Sequence, residues 1–193
     1  MWQEILPGLR IKLFMTVLLG IGYPLALTGI CQVLFPHQAN GSLVTAGDKV
    51  VGSELIGQNF TRPEYFQPRP SAAGADGYDA ANSSGSNYGP TNQKLIDRVK
   101  ASIEKFRKDN PEYTQPIPAD LLTASSSGLD PHISPDSAQA QAPRVAKARE
   151  VSTDQVNRLI AQFTDDPDLG LLGEPRVNVL KLNLALDRQF PRK

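Results

Sequence analysis

The chain has 193 residues, with 20 basic and 20 acidic side chains and so no formal net charge, 40% hydrophobic residues and one cysteine. A neutral balance gives no electrostatic footprint for nucleic acid, no segment repeats at a fixed period as in a solenoid, and one cysteine makes neither an internal disulfide nor a zinc knuckle. The average also conceals a partition: 22 apolar residues fall in the first 35 positions and 55 in the remaining 158, so the two parts are built for different solvents.

From Leu13 to Phe35 the chain runs for 23 residues without a charged side chain. A helix of that length is roughly 34 Å long against a hydrocarbon core of about 30 Å, so it crosses a bilayer with a modest tilt. A cleaved signal peptide has a shorter apolar core and ends at a small-x-small site, which Leu34-Phe35-Pro36-His37 does not provide. Arg10 and Lys12 precede the run and the next basic residue is Lys49. The positive-inside rule then places residues 1–12 in the cytoplasm, 13–35 across the membrane and 36–193 outside, in the periplasm of a bacterial cell. Cys31 falls inside the lipid. Gly22, Ala26 and Gly29 share one helix face and form a small-residue strip that suits a second helix, although glycine is also simply common in such spans. Pro24 is expected to kink the helix and free a carbonyl.

Residues 36–193 carry 18 basic and 19 acidic residues, and their apolar content supports one core. Two short strands around Ala46-Gly47-Asp48 predict a hairpin over 41–52. Thr61 to Asn92 is crowded with Pro, Gly, Ser and Asn and predicts a long irregular loop. Tyr65, Phe66, Tyr78 and Tyr88 are threaded through it, and two readings stand side by side. Rigid rings on a turn-rich backbone suit a protein-contact surface, or they staple the loop to its own domain. Glu54, Glu64, Asp76 and Asp79 lie around this loop and could draw cations to an entrance, or be ordinary surface carboxylates.

Leu95, Ile96, Val99, Ile103 and Phe106 recur at helical spacing up to Asn110-Pro111, with a largely basic opposite face. Ser134-Pro135-Asp136 reads as the cap and first turn of a second helix. Ser152-Thr153-Asp154-Gln155 reads as a capping box with Val151 stapled on Val156, opening a third helix that buries Leu159, Ile160 and Phe163. Val177 to Leu186 alternates apolar and polar residues with one slip at 179/180, which predicts a bulged strand. Helices and strands mix without a βαβ rhythm, so the fold class is α+β: one N-terminal transmembrane helix, then one mixed α+β domain.

No phosphate loop, dinucleotide fingerprint, zincin motif or nucleophile elbow occurs. Two histidines, His37 and His132, are too few for a multi-histidine metal site. The densest reactive constellation is Ser127, Asp130 and His132, the inventory of a hydrolase triad. Its residues are local neighbours, whereas a triad needs groups converging from separate elements. A capped turn leading into the helix at Ser134 accounts for the same residues.

Several segments taken together resemble the C subunit of the Kdp potassium-transporting ATPase. They are Gly52-Ser53-Glu54-Leu55-Ile56-Gly57-Gln58-Asn59-Phe60, Tyr65 to Ala72, Gly85 to Asn92, Asp120 to Ser134, Arg144 to Arg149 and Gly173 to Asp187. The resemblance covers nearly the whole chain, including the single span. Ser126 stands where that family leads one to expect glycine, and Tyr88 where leucine is usual. The resemblance implies a non-catalytic subunit needed for assembly of the complex and, as a catalytic chaperone, for raising the ATP affinity of the P-type ATPase B subunit. Its partners would be that B subunit, the potassium-translocating A subunit, the small F subunit and the membrane. It implies no catalytic residue and no cofactor of its own, because ATP and potassium belong to the complex. The sequence likewise lacks the Asp-Lys-Thr-Gly phosphorylation signature of a P-type pump.

Overall fold

An apolar segment in lipid has no water to satisfy its backbone, so it folds with every hydrogen bond inside itself. The computed structural model describes residues 2–191. Its first feature is one unbroken helical rod: α1 (Trp2–Met15), a π-helical segment (Thr16–Gly22) and α2 (Tyr23–Leu34). The apolar stretch Gln3–Leu34 spans 32 residues. At about 1.5 Å per residue that is roughly 48 Å, so the rod exceeds a bilayer core by the turns carrying Glu4, Arg10 and Lys12. None of the residues described in this helix is buried by the chain itself.

The helix changes its hydrogen-bond pattern just ahead of Pro24. A proline ring clashes with the carbonyl four residues back and offers it no N–H. Immediately before Pro24 the helix widens into seven π-helical residues, and the Tyr23 N–H donates to the Leu18 carbonyl five residues back. The Thr28 hydroxyl donates to the Pro24 carbonyl at 2.8 Å, one turn back along the same helix, so this side chain is satisfied within the helix itself.

A short helix, α3 (Pro36–Ala39), and the hairpin strands β1 (Leu43–Ala46) and β2 (Lys49–Ser53) follow. The chain then divides at Val51/Gly52 into two units. In the second unit, the expected loop has no helix or strand from Thr61 to Thr91. Asn92 caps α4 (Gln93–Asp109) by accepting from the Lys94 N–H. Its apolar stripe is only partly covered: Phe106 is buried, while Leu95, Val99 and Ile103 are half-buried and Ile96 is exposed.

The core is built by three helices and a small sheet. Ser134 accepts from the Ser137 N–H to start α5 (Pro135–Ala148), and Ser152 with Gln155 forms the reciprocal capping box of α6 (Thr153–Gln162). Between them α5 ends in a Schellman turn. Glu150 takes φ +56°, its N–H donates to the Lys147 carbonyl, and the Val151 N–H donates to the Ala146 carbonyl. Val151 then packs on the core that includes Ala146 and Val156, so one side chain closes one helix and staples the next.

Strands β3 (His132–Ile133), β4 (Thr164–Asp165) and β5 (Arg176–Asn178) form an antiparallel sheet with β5 in the centre. Val177 pairs with Ile133 on one side and Thr164 on the other. The expected bulged strand over 177–186 is corrected here. After Asn178 the chain turns into α7 (Val179–Gln189), and the Asn178 side chain caps it by accepting from the Lys181 N–H. The slip at 179/180 marks a strand-to-helix switch: Val179, Leu182 and Leu186 bury on one helical face, while period-two alternation fitted the same letters by coincidence. Phe66, Val145, Val156, Ile160, Val177, Leu182 and Leu186 make up most of the core.

Candidate functional site

The loop between β2 and α4 is not held by secondary structure, so its main-chain polar groups need other partners. Two side-chain amides supply them. Asn183 on α7 accepts from the Phe66 N–H at 2.9 Å and donates to the Phe66 carbonyl at 3.0 Å. Gln141 on α5 accepts from the Gln67 N–H at 2.8 Å and donates to the Gln67 carbonyl at 3.1 Å. Both amides are almost fully buried. Each imitates one rung of a β-ladder, and together they fix two consecutive loop residues.

Two arginines on α5 and its C-cap complete the attachment. Arg144 donates to the carbonyls of Pro63 and Tyr65, to Asn110 Oδ1 and to Gln141 Oε1. Burial lowers its pKa to about 10, against the opposing pull of Asp109 and Glu64, and it remains charged at neutral pH. Arg149, whose side chain is 1% exposed, lies 2.9 Å from Asp187 and 5.0 Å from the Tyr65 ring centre. It also donates to the carbonyls of Glu64 and Phe190.

A third anchor involves the predicted triad. Arg69 in the loop forms an ion pair with Asp130 at 2.8 Å. The other Asp130 oxygen accepts the His132 N–H at 2.9 Å and lies 3.6 Å from His132 Nδ1. Burial raises the Asp130 pKa, but hydrogen bonds from His132 and the nearby Arg69 outweigh it, and the carboxyl ends below its ordinary value. Ser127 faces elsewhere: its hydroxyl accepts from the Leu129 N–H at 3.1 Å and approaches Ser125. Asp130 is thus committed to Arg69 and its own turn, and the hydrolase reading has no support in this geometry.

The four aromatic positions divide. Phe66 is completely buried in the core. The Tyr65 hydroxyl donates to Asp187 at 2.8 Å and the Tyr78 hydroxyl to the Arg69 carbonyl at 2.7 Å. Burial and the Asp130 carboxylate push the Tyr78 pKa far up, so that hydroxyl stays protonated and donating. Tyr88 is 39% exposed. The stapling reading therefore describes Tyr65, Phe66 and Tyr78, and Tyr88 is the ring left on the surface.

The acidic positions do not converge. Glu54 pairs with Lys181 at 2.6 Å, Glu64 lies 3.9 Å from Arg62, and Asp79 accepts from the Ala81 N–H and Asn82. Asp76 lines a cleft of about 600 Å³ between the loop and α4, with Arg69, Tyr78 and Lys105. Among the described residues no group of three or more His, Cys, Asp or Glu could hold a metal ion. In the helix Gly22, Ala26 and Gly29 are all exposed, and an added Cβ at Gly29 would meet nothing within 4 Å.

The side chains that organise the loop were not singled out from the sequence. Asn183 sat inside the stretch expected to be a strand, where alternation turned it outward. Read as helix, it falls on the apolar face of Val179, Leu182 and Leu186, and a polar residue on a buried stripe was the available signal.

The chain combines one helix long and apolar enough to cross a membrane with a mixed α+β domain whose long loop is fastened by amides and arginines. Residues 5–188 match the family described as KdpC: K+-transporting ATPase, c chain. The potassium-transporting ATPase KdpC subunit of Myxococcus xanthus is 56% identical over 191 residues, covering 98% of this chain and 90% of that one. The proteins of the same description from Rhodospirillum rubrum and Rhodopseudomonas palustris are 54% and 51% identical; the alignments cover 99% and 100% of this chain and 98% and 100% of theirs. The chain belongs to the KdpC family, the C subunits of potassium-transporting ATPases.

Proposed function

We propose that the chain is a non-catalytic subunit of the Kdp potassium-uptake complex, anchored by its N-terminal helix in the bacterial inner membrane. In this reading residues 1–12 face the cytoplasm, 13–35 span, and 36–193 lie in the periplasm, which the basic flank of Arg10 and Lys12 supports. Its partners are the potassium-translocating A subunit, the P-type ATPase B subunit and the small F subunit. It assembles and stabilises them and raises the ATP affinity of the B subunit. It carries no cofactor of its own, and ATP and potassium are handled by the other subunits.

The observation that carries this reading is the uncovered rod. It is long enough to span, none of the stretch Gln3–Leu34 is buried by its own chain, and it carries a π-helical segment, Thr16–Gly22, next to Pro24. Gly22, Ala26 and Gly29 are the packing strip. ATP is cytoplasmic and the folded domain periplasmic, so the effect on ATP binding passes through helix packing and not through contact with nucleotide.

Two measurements test it. A tagged chain extracted in mild detergent brings down a P-type ATPase; recovery of the chain alone contradicts the proposal. Protease added to intact spheroplasts removes the folded domain, and cleavage confined to inside-out vesicles reverses the topology.

A further inference from the structure

The connection between β4 and β5 is closed by its own hydrogen bonds. The Asp168 and Leu172 main chains bond reciprocally, each N–H to the other's carbonyl at 2.9 Å, and the Gly170 N–H donates to the Pro167 carbonyl at 2.9 Å. This small loop holds three leucines out to solvent: Leu169 is 91% exposed, Leu171 87% and Leu172 62%. Leu169 also takes φ +56°, a left-handed conformation in which glycine or asparagine is the easier residue. Neither the exposure nor the strained leucine serves the domain's own core, and such an apolar projection on an otherwise polar surface marks an interaction site.

The surroundings choose the occupant. Asp165, Asp166, Asp168 and Glu174 surround the leucines, with no basic residue between 165 and 174. Arg176 lies 3.5 Å from Asp168. An acidic collar is repelled by anionic lipid headgroups, so a membrane surface is disfavoured. A protein pocket that is apolar at its floor and rimmed by lysine or arginine complements it in both shape and charge.

We propose that the leucine tip Leu169–Leu172 is a docking plug that inserts into an apolar, basic-rimmed pocket of a partner subunit of the transport complex. The inference rests on the reading of the chain as a complex subunit. Leu171 and Leu172 supply the buried area, and the acidic collar fixes register and makes docking weaker at high salt.

The test uses the full chain with Cys31→Ser and Leu171→Cys carrying an environment-sensitive fluorophore. In membranes holding the whole complex the probe shifts to the blue, and in vesicles of the chain alone, with or without phosphatidylglycerol, it reports water. A blue shift in vesicles of the chain alone assigns the tip to lipid, or to a second copy when the shift depends on protein density, and either overturns the proposal. A probe that reports water in the complex also overturns it. The paired Leu171→Ser/Leu172→Ser variant lowers the fraction of ATPase co-extracted at least tenfold, with the melting temperature of the chain unchanged. If the wild-type chain and this variant bring down the ATPase equally, the plug falls while the subunit reading stands. If the wild-type chain brings down none, the subunit reading falls and the plug falls with it. Leu169→Gly relieves the backbone strain, so it raises the melting temperature of the chain while leaving it weaker in the complex.

Discussion

Asn183 holds the main chain of Phe66 at both ends, its oxygen on the N–H at 2.9 Å and its nitrogen on the carbonyl at 3.0 Å, across 117 positions of sequence. The ring of the same Phe66 is completely buried, so one loop residue is fastened by polar groups behind and apolar packing in front. Replacing Asn183 with Leu keeps the volume and strands two buried polar groups. An unpaired buried donor or acceptor costs about 1–3 kcal/mol, so the loss from two is about 2–6 kcal/mol. Chemical denaturation of the detergent-solubilised chain measures it.

Gln141 does the same for the neighbouring Gln67, and the two amides act on consecutive residues. Asn183→Leu and Gln141→Leu are therefore not additive. Once one rung is broken the loop shifts, and the second substitution costs less than it does alone. A double-mutant cycle returns a coupling of about 0.5–3 kcal/mol, and simple addition contradicts the shared clamp.

Arg149 and Asp187 form an ion pair in which the arginine side chain is 1% exposed, the most enclosed cation of any ion pair among the described residues. Removing only the carboxylate leaves the buried guanidinium with neutral carbonyl partners and no counter-charge; the cost is below the roughly 3–5 kcal/mol of a fully buried pair, because the Asp187 side chain is 33% exposed. Asp187→Ala therefore destabilises far more than Asp109→Ala, whose partner Lys105 is largely exposed. Thermal melts of the two variants in parallel check the order.

The pair Arg69 and Asp130 gives a pH dependence with a definite sign. The folded-state pKa of Asp130 lies below its ordinary 3.8, so its contribution to stability is complete above the unfolded value, near pH 4. It is lost as pH falls through the folded value. Asp130→Asn flattens the acid limb of a stability profile below about pH 4; an acid limb as steep as that of the wild type contradicts the assignment.

Gly128 joins the loop to the turn of Asp130. It takes φ +68°, and an added Cβ would stand 2.6 Å from the Ser84 carbonyl oxygen and 2.8 Å from the Ala73 nitrogen. Gly128→Ala combines a left-handed alanine, about 1–2 kcal/mol, with a clash against backbone that has no free side chain to yield. The expected loss is about 3 kcal/mol or more. A melting temperature unchanged from wild type contradicts this packing.

The sequence was most informative where chemistry is local. Ser134, Ser152 and Gln155 announce helix starts because a cap is a contact three residues long, and the hairpin and the proline-rich loop are equally short-range statements. The stretch after Val177 misled because apolar residues at 177, 179, 180, 182, 184 and 186 satisfy both periods, and only the cap made by Asn178 on Lys181 breaks the tie. The aromatic residues could not be assigned from sequence at all. Whether Tyr65 and Phe66 face outward depends on Asp187 and Asn183, more than a hundred positions away. The incomplete cover of Ile96 on α4 was hidden for the same reason, since periodicity specifies a face and not what lies against it.

The reach of the Asn183 clamp also sets an order of events during synthesis. Phe66 and its neighbours leave the ribosome 117 residues before the amide that receives them. Through that interval the loop is an open, aromatic-bearing strap tethered to a helix already available to the membrane. Non-local contacts of this kind form late and leave apolar surface waiting. A nascent chain halted before α7 would thus remain unlatched, and α7 works as the catch that turns a loose strand of polymer into a finished part.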